Sequence, residues 1–144
     1  MTASSTGRTG TPDRPLSVLV VDDLPDAAES VAEVLSLYGF STRVACGGSP
    51  ALELAAADPP DVVLLDLLMP GMDGWELARR LKAQARVKRP LLVAVSGCGG
   101  DADRRRSAES GIDLHLVKPA DPAALVGLLR RFERVAGRPA GAWA

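Results

Sequence analysis

The sequence predicts an α/β fold in which one parallel, five-stranded sheet carries five helices on its two faces. The first observation is that five short apolar runs alternate with five segments of helical character, an order typical of parallel sheets. The second is that three of these runs are almost continuously apolar, as strands covered on both faces must be. The third is that polar side chains follow the runs directly. A chain of 144 residues fits one such domain.

The polarity of the five apolar runs predicts their order in the sheet. The predicted strands cover residues 16–21, 41–46, 62–65, 91–95 and 112–117. The first, third and fourth are the most apolar and therefore occupy central positions, whereas the second and fifth are more polar and belong at the edges. This distribution fits the flavodoxin-like strand order 2-1-3-4-5, in which ligands bind at the switch between strands one and three.

The segments between the strands carry helix start and stop signals. Pro25 suits a first helical turn, Val31, Val34 and Leu35 repeat at helical spacing, and Gly39 is a natural stop. The other helices are predicted over residues 49–57, 74–85 and 101–111, and from residue 121 onward. The fourth of the five is only weakly amphipathic, so we expect it to have few apolar anchors.

Composition divides the chain into three parts and limits its partners. Residues 1–15 are rich in Ser, Thr, Gly and Pro and are predicted to be a disordered leader, residues 16–136 form the domain, and residues 137–144 form a flexible tail. The net charge of -1 gives no reason to expect binding to nucleic acid or to a membrane surface. The first residues lack the apolar core of a secretory signal, and we therefore expect a cytoplasmic protein.

Polar residues follow four of the predicted strands at the point where each strand ends. They are Asp22 and Asp23 after the first strand, Asp66 after the third, Ser96 after the fourth and Lys118 after the fifth. Because the carboxyl ends of parallel strands meet at one edge of a sheet, these side chains should converge there. Carboxylate oxygens are the ligands that Mg²⁺ prefers, and Mn²⁺ has similar requirements. The cluster therefore predicts a metal and phosphoryl site.

The residue types at this edge suit phosphoryl transfer. Asp66 is the natural nucleophile and would form an aspartyl-phosphate. The ammonium of Lys118 and the hydroxyl of Ser96 would contact oxygens of the transferred group, which gives the positioning and charge neutralisation that the reaction needs. A single Asp could be an ordinary strand-end cap, but such a coincidence at five positions of one edge is improbable.

Four motifs resemble those of the receiver domains of two-component response regulators, in particular the single-domain, chemotaxis-regulator-like type. They are VLVVDD, VVLLDLLMPGMDGWEL, VAVSG and HLVKPAD, within residues 16–136. The resemblance implies that Asp66 is the phosphoacceptor and Asp23 a direct Mg²⁺ ligand, and that Asp22 acts on the metal mainly through water. It also implies that the backbone carbonyl of Leu68 is a ligand and that Ser96 is a switch residue.

The same resemblance assigns the residues around the fifth strand. Lys118 matches the invariant lysine of the family and Pro119 its cis-proline. His115, the single histidine, stands where the family usually has Tyr or Phe as a rotamer switch, and it is either a switch residue or a half-exposed edge residue. The partner face of the family would here comprise the following residues: Arg104, Arg105, Arg106, His115 and Arg131. The arginine run is otherwise a solvated helix face.

Three further positions near the site leave questions open. Leu68 and Cys98 occupy the places that tune loss of the phosphoryl group in this family, and because an apolar Leu68 cannot orient an attacking water, we expect a long-lived phosphoryl state. Trp75, just after the acceptor loop, either contacts the phosphodonor or packs into the domain.

The sequence thus predicts a phosphoacceptor module that takes a phosphoryl group from a sensor histidine kinase or a histidine phosphotransfer protein and then changes its binding to a downstream protein. We expect no turnover of outside substrates, no nucleic-acid or membrane partner, and a monomer or a weak phosphorylation-dependent dimer. Since no second motif-bearing region follows, we expect a stand-alone receiver. The alternatives are a constitutive pseudo-receiver and a relay intermediate or phosphate sink. A phosphatase is disfavoured, because Leu68 stands where such enzymes have an acid Asp. A nucleotide binder is disfavoured, because no phosphate-binding glycine loop follows a strand.

Overall fold

The computed structural model describes residues 14–86, 88–97 and 99–136. Most of the predicted leader, the predicted tail and Cys98 lie outside the described residues. Within them, five parallel strands form one sheet in the order β2-β1-β3-β4-β5. The predicted fold class and strand order are therefore confirmed, including the edge positions of the two more polar strands.

The helices and strands alternate strictly along the chain, and their bounds lie within two residues of the predicted ones at almost every end. In chain order they are β1 (Ser17–Val21), α1 (Pro25–Leu37), β2 (Ser41–Ala45), α2 (Gly48–Ala57), β3 (Val62–Leu65), α3 (Gly74–Gln84), β4 (Leu91–Ser96), α4 (Asp101–Glu109), β5 (Leu114–Val117) and α5 (Pro122–Ala136). None of the described helices combines the length and the apolar character that crossing a bilayer requires.

The apolar strands divide the interior into two cores, one on each face of the sheet. Alternate residues of β1 point to opposite faces, so Leu19 and Val21 enter the core beneath α2 and α3, whereas Val18 and Val20 enter the core beneath α1 and α5. All residues of β1 and β3 are buried, as central strands must be. Burial on both faces fixes the register of these strands and therefore fixes which residues stand at their ends.

Helix α4 is the exception to this apolar packing. Its only buried residue among Asp101–Glu109 is Ser107, and the helix contributes no side chain to either apolar core. Ser110, just beyond its end, is also buried and accepts a hydrogen bond from Arg79 of α3 at 3.2 Å. Polar contacts therefore hold α4 against the domain, which agrees with its weak sequence periodicity.

The amino end of the sheet is stabilised by two acidic side chains that each have a cation and a backbone partner. Asp61 accepts a hydrogen bond from the backbone N–H of Ser17 at 2.7 Å and pairs with Lys88 at 2.9 Å. Asp113 accepts from the backbone N–H of Leu92 at 2.9 Å and lies 3.2 Å from a nitrogen of Arg89. These carboxylates satisfy backbone donors where the strands begin.

Candidate functional site

The strand register brings three carboxylates together at the carboxyl end of the sheet. Val21 at the end of β1 pairs with Leu65 at the end of β3, so the residues that follow, Asp22 and Asp66, stand side by side. One carboxylate oxygen from each of Asp22, Asp23 and Asp66 lies within 4.8 Å of the others. Asp22 and Asp66 are 7% and 9% exposed, and Asp23 is half-buried. This is a compact set of hard oxygen donors with limited access to water.

Burial and like charges make ionisation of Asp66 unfavourable. Desolvation is the largest effect and raises the pKa of Asp66 above its ordinary value of 3.8; the nearby carboxylates of Asp22 and Asp23 raise it further. The ammonium of Lys118 and the backbone N–H of Leu68 act in the opposite direction. Burial therefore outweighs the two groups that favour ionisation of Asp66, and a cation bound among the carboxylates would further favour their ionised forms.

Lys118 reaches the acidic cluster from the end of β5. Its Nζ lies 3.4 Å from an oxygen of Asp22 and 3.8 Å from an oxygen of Asp66. Its backbone N–H donates to the carbonyl of Ser96 at 2.8 Å, which ties the ends of β4 and β5 together. The peptide bond between Lys118 and Pro119 is cis. The lysine side chain is 40% exposed and can therefore also face a group arriving from solvent.

Ser96 and Leu68 stand at the same edge in different environments. Ser96 ends β4 and is fully buried. The Leu68 side chain is 58% exposed, and its backbone N–H lies 3.4 Å from an oxygen of Asp66, a long hydrogen bond. The segment containing Leu68 follows β3 as a loop, so the Leu68 backbone lies beside Asp66 while its apolar side chain faces solvent.

A glycine allows α3 to start close to the backbone of Asp66. The N–H of Gly74 donates to the carbonyl of Leu67 at 2.9 Å, and a Cβ at Gly74 would lie 2.4 Å from the carbonyl oxygen of Asp66. Asp73 caps the helix by accepting a hydrogen bond from the backbone N–H of Glu76 at 2.9 Å. The loop after Asp66 is therefore held between the end of β3 and the start of α3, and a residue larger than glycine at position 74 would clash with its backbone.

His115 is held by contacts that the sequence did not indicate. Its Nδ1 lies 2.9 Å from the hydroxyl oxygen of Ser107, and the indole N–H of Trp75 donates to the same oxygen at 3.1 Å. Trp75 is buried, so of its two predicted roles the structure shows packing. A weakly amphipathic helix does not reveal which of its serines is buried. The i, i+3 spacing of Ser107 and Ser110 is the signal that could have identified the inward face of α4.

The arginines of the predicted partner face differ in their surroundings. Arg104 donates to the carbonyls of Gly99 and His115 at 3.2 and 3.3 Å, so its guanidinium lies over the end of β5. The guanidinium of Arg106 lies 4.0 Å from the centre of the Trp75 ring and 3.6 Å from a carboxylate oxygen of Asp73. Arg105 and Arg131 are exposed. The structure brings Arg104 and His115 together at β5, whereas Arg106 lies against Trp75 and Asp73, and the binding role of all five residues stays a prediction.

A cleft of about 610 Å³ opens beside the acidic cluster on the face covered by α1 and α5. Asp22, Asp66 and Lys118 are among the lining residues, and the rest of the lining is mostly apolar and includes Val31 of α1 and Leu125 of α5. Its volume lies within the range of about 300–1,000 Å³ typical of ligand sites. Asp22, Asp66 and Lys118 therefore belong both to the acidic cluster and to the lining of this cleft.

This fold and this edge cluster together define a receiver-type signalling domain. The family described as the response regulator receiver domain matches residues 18–130, and the chain belongs to that family. The resemblance predicted from the motifs is confirmed. Phosphorylation and Mg²⁺ binding are general features of this family.

Relatives and solved structures agree with this assignment. The chain is 40% identical to the DNA-binding response regulator MtrA of Mycolicibacterium smegmatis over 124 residues, which cover 85% of this chain and 53% of that protein. It is 35% identical to the response regulator PleD of Caulobacter vibrioides over 117 residues, 81% of this chain and 26% of PleD. The chain thus spans between a quarter and about half of the length of these relatives.

Two solved structures resemble the chain over nearly their whole length. The chemotaxis response regulator CheY4 of Vibrio cholerae superposes with a TM-score of 0.75 at 27% identity, covering 81% of this chain and 98% of that chain. The BeF3-activated N-terminal receiver domain of Klebsiella pneumoniae RstA superposes with a TM-score of 0.74 at 30% identity, covering 82% and 98%.

Proposed function

We propose that this receiver domain accepts a phosphoryl group on Asp66 from a phosphohistidine of a sensor histidine kinase or histidine phosphotransfer protein. The observation that carries the proposal is the cluster of three carboxylates within 4.8 Å of one another, with the Lys118 ammonium 3.8 Å from Asp66. Mutual repulsion of this kind is costly in a partly buried site, and it is relieved when a cation and a phosphoryl group are present. Membership of the receiver family supports the same reading.

The donor set fits Mg²⁺, with Mn²⁺ as a chemically similar substitute. Asp22, Asp23 and Asp66 offer hard oxygen ligands, and the backbone carbonyl of Leu68 is the fourth proposed protein donor. The raised pKa of Asp66 supports this assignment, because its causes include the two neighbouring carboxylates that a divalent cation would neutralise. When bound, the ion supplies positive charge to the carboxylates and to the phosphoryl oxygens.

The side chains at the sheet edge then have separate tasks in the transfer. One Asp66 oxygen forms a bond to phosphorus while the bond from phosphorus to the donor imidazole nitrogen breaks, and the imidazole leaves with the electron pair of that bond. Lys118 contacts a phosphoryl oxygen with its ammonium group. An incoming phosphoryl group can reach this ammonium because 40% of the Lys118 side chain is exposed. Ser96 offers its hydroxyl to another oxygen. The reaction thus depends on positioning and charge neutralisation.

The proposed consequence is a change in binding to a downstream protein, with no turnover of outside substrates. Loss of the phosphoryl group from Asp66 by hydrolysis ends the signal. The proposed partner face includes Arg104, Arg105, Arg106, His115 and Arg131. A cytoplasmic location is typical of the family and belongs to the proposal, as does a monomer or a weak phosphorylation-dependent dimer.

Intact-protein mass spectrometry after incubation with acetyl phosphate and Mg²⁺ tests the proposal. We expect one phosphoryl adduct in the wild type, none in Asp66→Asn, and none when EDTA replaces Mg²⁺. Asp61→Asn is the matched control, because it removes a carboxylate at the opposite end of the sheet and should still form the adduct. Absence of an adduct in the folded wild type at any Mg²⁺ concentration would instead favour a constitutive pseudo-receiver. Transfer from a phosphorylated histidine phosphotransfer protein then tests the donor class.

A further inference from the structure

Ser107 occupies the centre of a buried polar junction between three elements. It lies on α4 with 1% of its surface exposed, accepts the indole N–H of Trp75 on α3 at 3.1 Å, and lies 2.9 Å from Nδ1 of His115 on β5. These are the only hydrogen-bond partners of its hydroxyl within the described residues. The junction therefore joins residues 8 and 32 positions away from Ser107 along the chain.

The direction of each hydrogen bond follows from the chemistry of the three groups. The indole nitrogen of Trp75 can only donate, so the oxygen of Ser107 is its acceptor. The hydroxyl hydrogen of Ser107 then needs an acceptor of its own, and in the described part of the chain Nδ1 of His115 is the acceptor within reach. If Nδ1 carried a hydrogen, two N–H donors would face one buried oxygen and the hydroxyl hydrogen would lack a partner.

The surroundings of the junction make it more than a local contact. No other residue of α4 is buried, so Ser107 is the main internal attachment of this helix. Arg106 covers the outer face of the Trp75 ring, while Arg104 donates to the His115 carbonyl at 3.3 Å. The Ser107 hydroxyl therefore connects the His115 ring to both α4 and α3.

We propose that Ser107 is the positioning residue for His115: it donates to Nδ1, fixes the neutral ring as the Nε2–H form, and couples β5 to Trp75 of α3. This inference rests on the proposed function, since it assigns the connection through which a change at the phosphorylated edge reaches α4. It makes Trp75 a reporter of the state of β5. No contact of Ser107 with the phosphoryl site is required.

Nuclear magnetic resonance of the unphosphorylated protein tests the positioning directly. The single histidine gives unambiguous ring nitrogen signals, and Trp143→Phe leaves Trp75 as the one remaining indole. In mildly alkaline buffer we expect Nδ1 of His115 to be unprotonated and hydrogen-bonded. In Ser107→Ala, the Nδ1 resonance should move towards that of a free imidazole, and hydrogen exchange of the Trp75 indole should accelerate about tenfold or more, as expected for loss of a buried hydrogen bond.

Conservative variants distinguish positioning from general packing. Ser107→Thr keeps the hydroxyl and should keep both signals near their wild-type values. Trp75→Phe keeps an aromatic ring but removes the indole donor, and the Nδ1 signal should stay near that of the wild type because Ser107 still donates to it. A protonated Nδ1 in the wild type, or unchanged His115 and Trp75 signals in Ser107→Ala, would overturn the proposal.

Phosphorylation of the protein provides a second test of the proposal. With the adduct confirmed by mass, the Trp75 indole resonance should shift in the wild type and Ser107→Thr, and by less than half as much in Ser107→Ala. Equal shifts in all three proteins would refute the coupling while leaving Asp66 as the acceptor. Absence of any adduct would refute the proposed function, whereas the assignment of the His115 ring form would still be decided by the unphosphorylated spectra.

Discussion

Replacing Asp66 by Asn should stabilise the metal-free protein even though it removes the proposed acceptor. At an effective dielectric constant of about 20, two carboxylates 4.8 Å apart repel by about 3.5 kcal/mol, and an ammonium 3.8 Å away attracts by about 4.4 kcal/mol. Asp66 therefore experiences two repulsions and one attraction, with a desolvation cost in addition. Allowing for solvent screening of all three of these charge pairs, we expect Asp66→Asn to stabilise the fold by about 1–2 kcal/mol.

The pH dependence of this gain has a defined sign. Because the pKa of Asp66 in the folded protein lies above its ordinary value of 3.8, folding disfavours the ionised carboxylate. The free energy of unfolding of the wild type, compared with that of Asp66→Asn, is therefore highest in acid. It falls as the pH rises through the folded-state pKa of Asp66. The stabilisation by Asn should be small near pH 4 and complete at pH 7–8.

Denaturant unfolding in EDTA, followed between pH 4 and 8, measures this difference. Mg²⁺ should reverse the order of stability, because a ligand at a hundred times its dissociation constant stabilises the fold by about 2.7 kcal/mol, which exceeds the gain from Asn, and Asp66→Asn lacks one of the carboxylates. Asp61→Asn is the control: it removes a carboxylate that binds a cation and a backbone N–H, so it should destabilise the fold and leave the Mg²⁺ response unchanged. If Asp66→Asn were less stable than the wild type in EDTA at pH 7, the electrostatic account of the cluster would be wrong.

Three further outcomes are expected. Lys118→Met should raise the pKa of Asp66 still further, because the Lys118 ammonium is the largest of the effects that lower this pKa. Carbon-detected titration of the Asp66 carboxyl in EDTA measures the change, and an unchanged pKa would contradict the reasoning. Gly74→Ala should destabilise the fold by about 2 kcal/mol or more in urea unfolding, because the new Cβ would lie 2.4 Å from the Asp66 carbonyl oxygen. Gly127→Ala in α5 is the control: its Cβ would enter open space, so this variant should be more stable than the wild type by about 0.5–1 kcal/mol. Leu68→Gln should shorten the lifetime of the phosphoryl group after removal of the donor, because an exposed amide can orient water whereas Leu cannot. Intact-protein mass spectrometry follows the loss of the adduct, and equal decay in both proteins would contradict this role.

The sheet and its acidic edge were predictable because they follow from properties that act locally and repeat. Runs of apolar residues identified the central strands, and in a parallel sheet the ends of those strands must meet, so Asp22 and Asp66 could be placed together before any coordinate was known. Turn chemistry also identified Asp73 and Gly74 as a helix start. In these cases local preference and the global fold agree.

The polar junction could not be predicted, because it depends on which serine of a weakly amphipathic helix turns inward. Ser107 meets Trp75 and His115 across large separations in sequence, and no hydrophobic period marks such a contact. The first residue of β5 was also not predictable from the sequence pattern. Its predicted first residue, Ile112, is buried, but Asp113 uses its carboxylate to bind the N–H of Leu92, and the ladder begins only at Leu114.

The two ends of the sheet carry carboxylates in opposite electrostatic situations, and this separation has an evolutionary consequence. Asp61 and Asp113 at the amino end each bind a cation and a strand N–H, whereas Asp22, Asp23 and Asp66 at the carboxyl end face one another. Changes at the amino end can therefore adapt the domain to a warmer or colder habitat with little effect on its chemistry. Under the proposed function, changes at the carboxyl end alter phosphoryl acceptance and can even increase robustness to heat as that acceptance is lost, so a stable descendant of this chain need not be a functioning one.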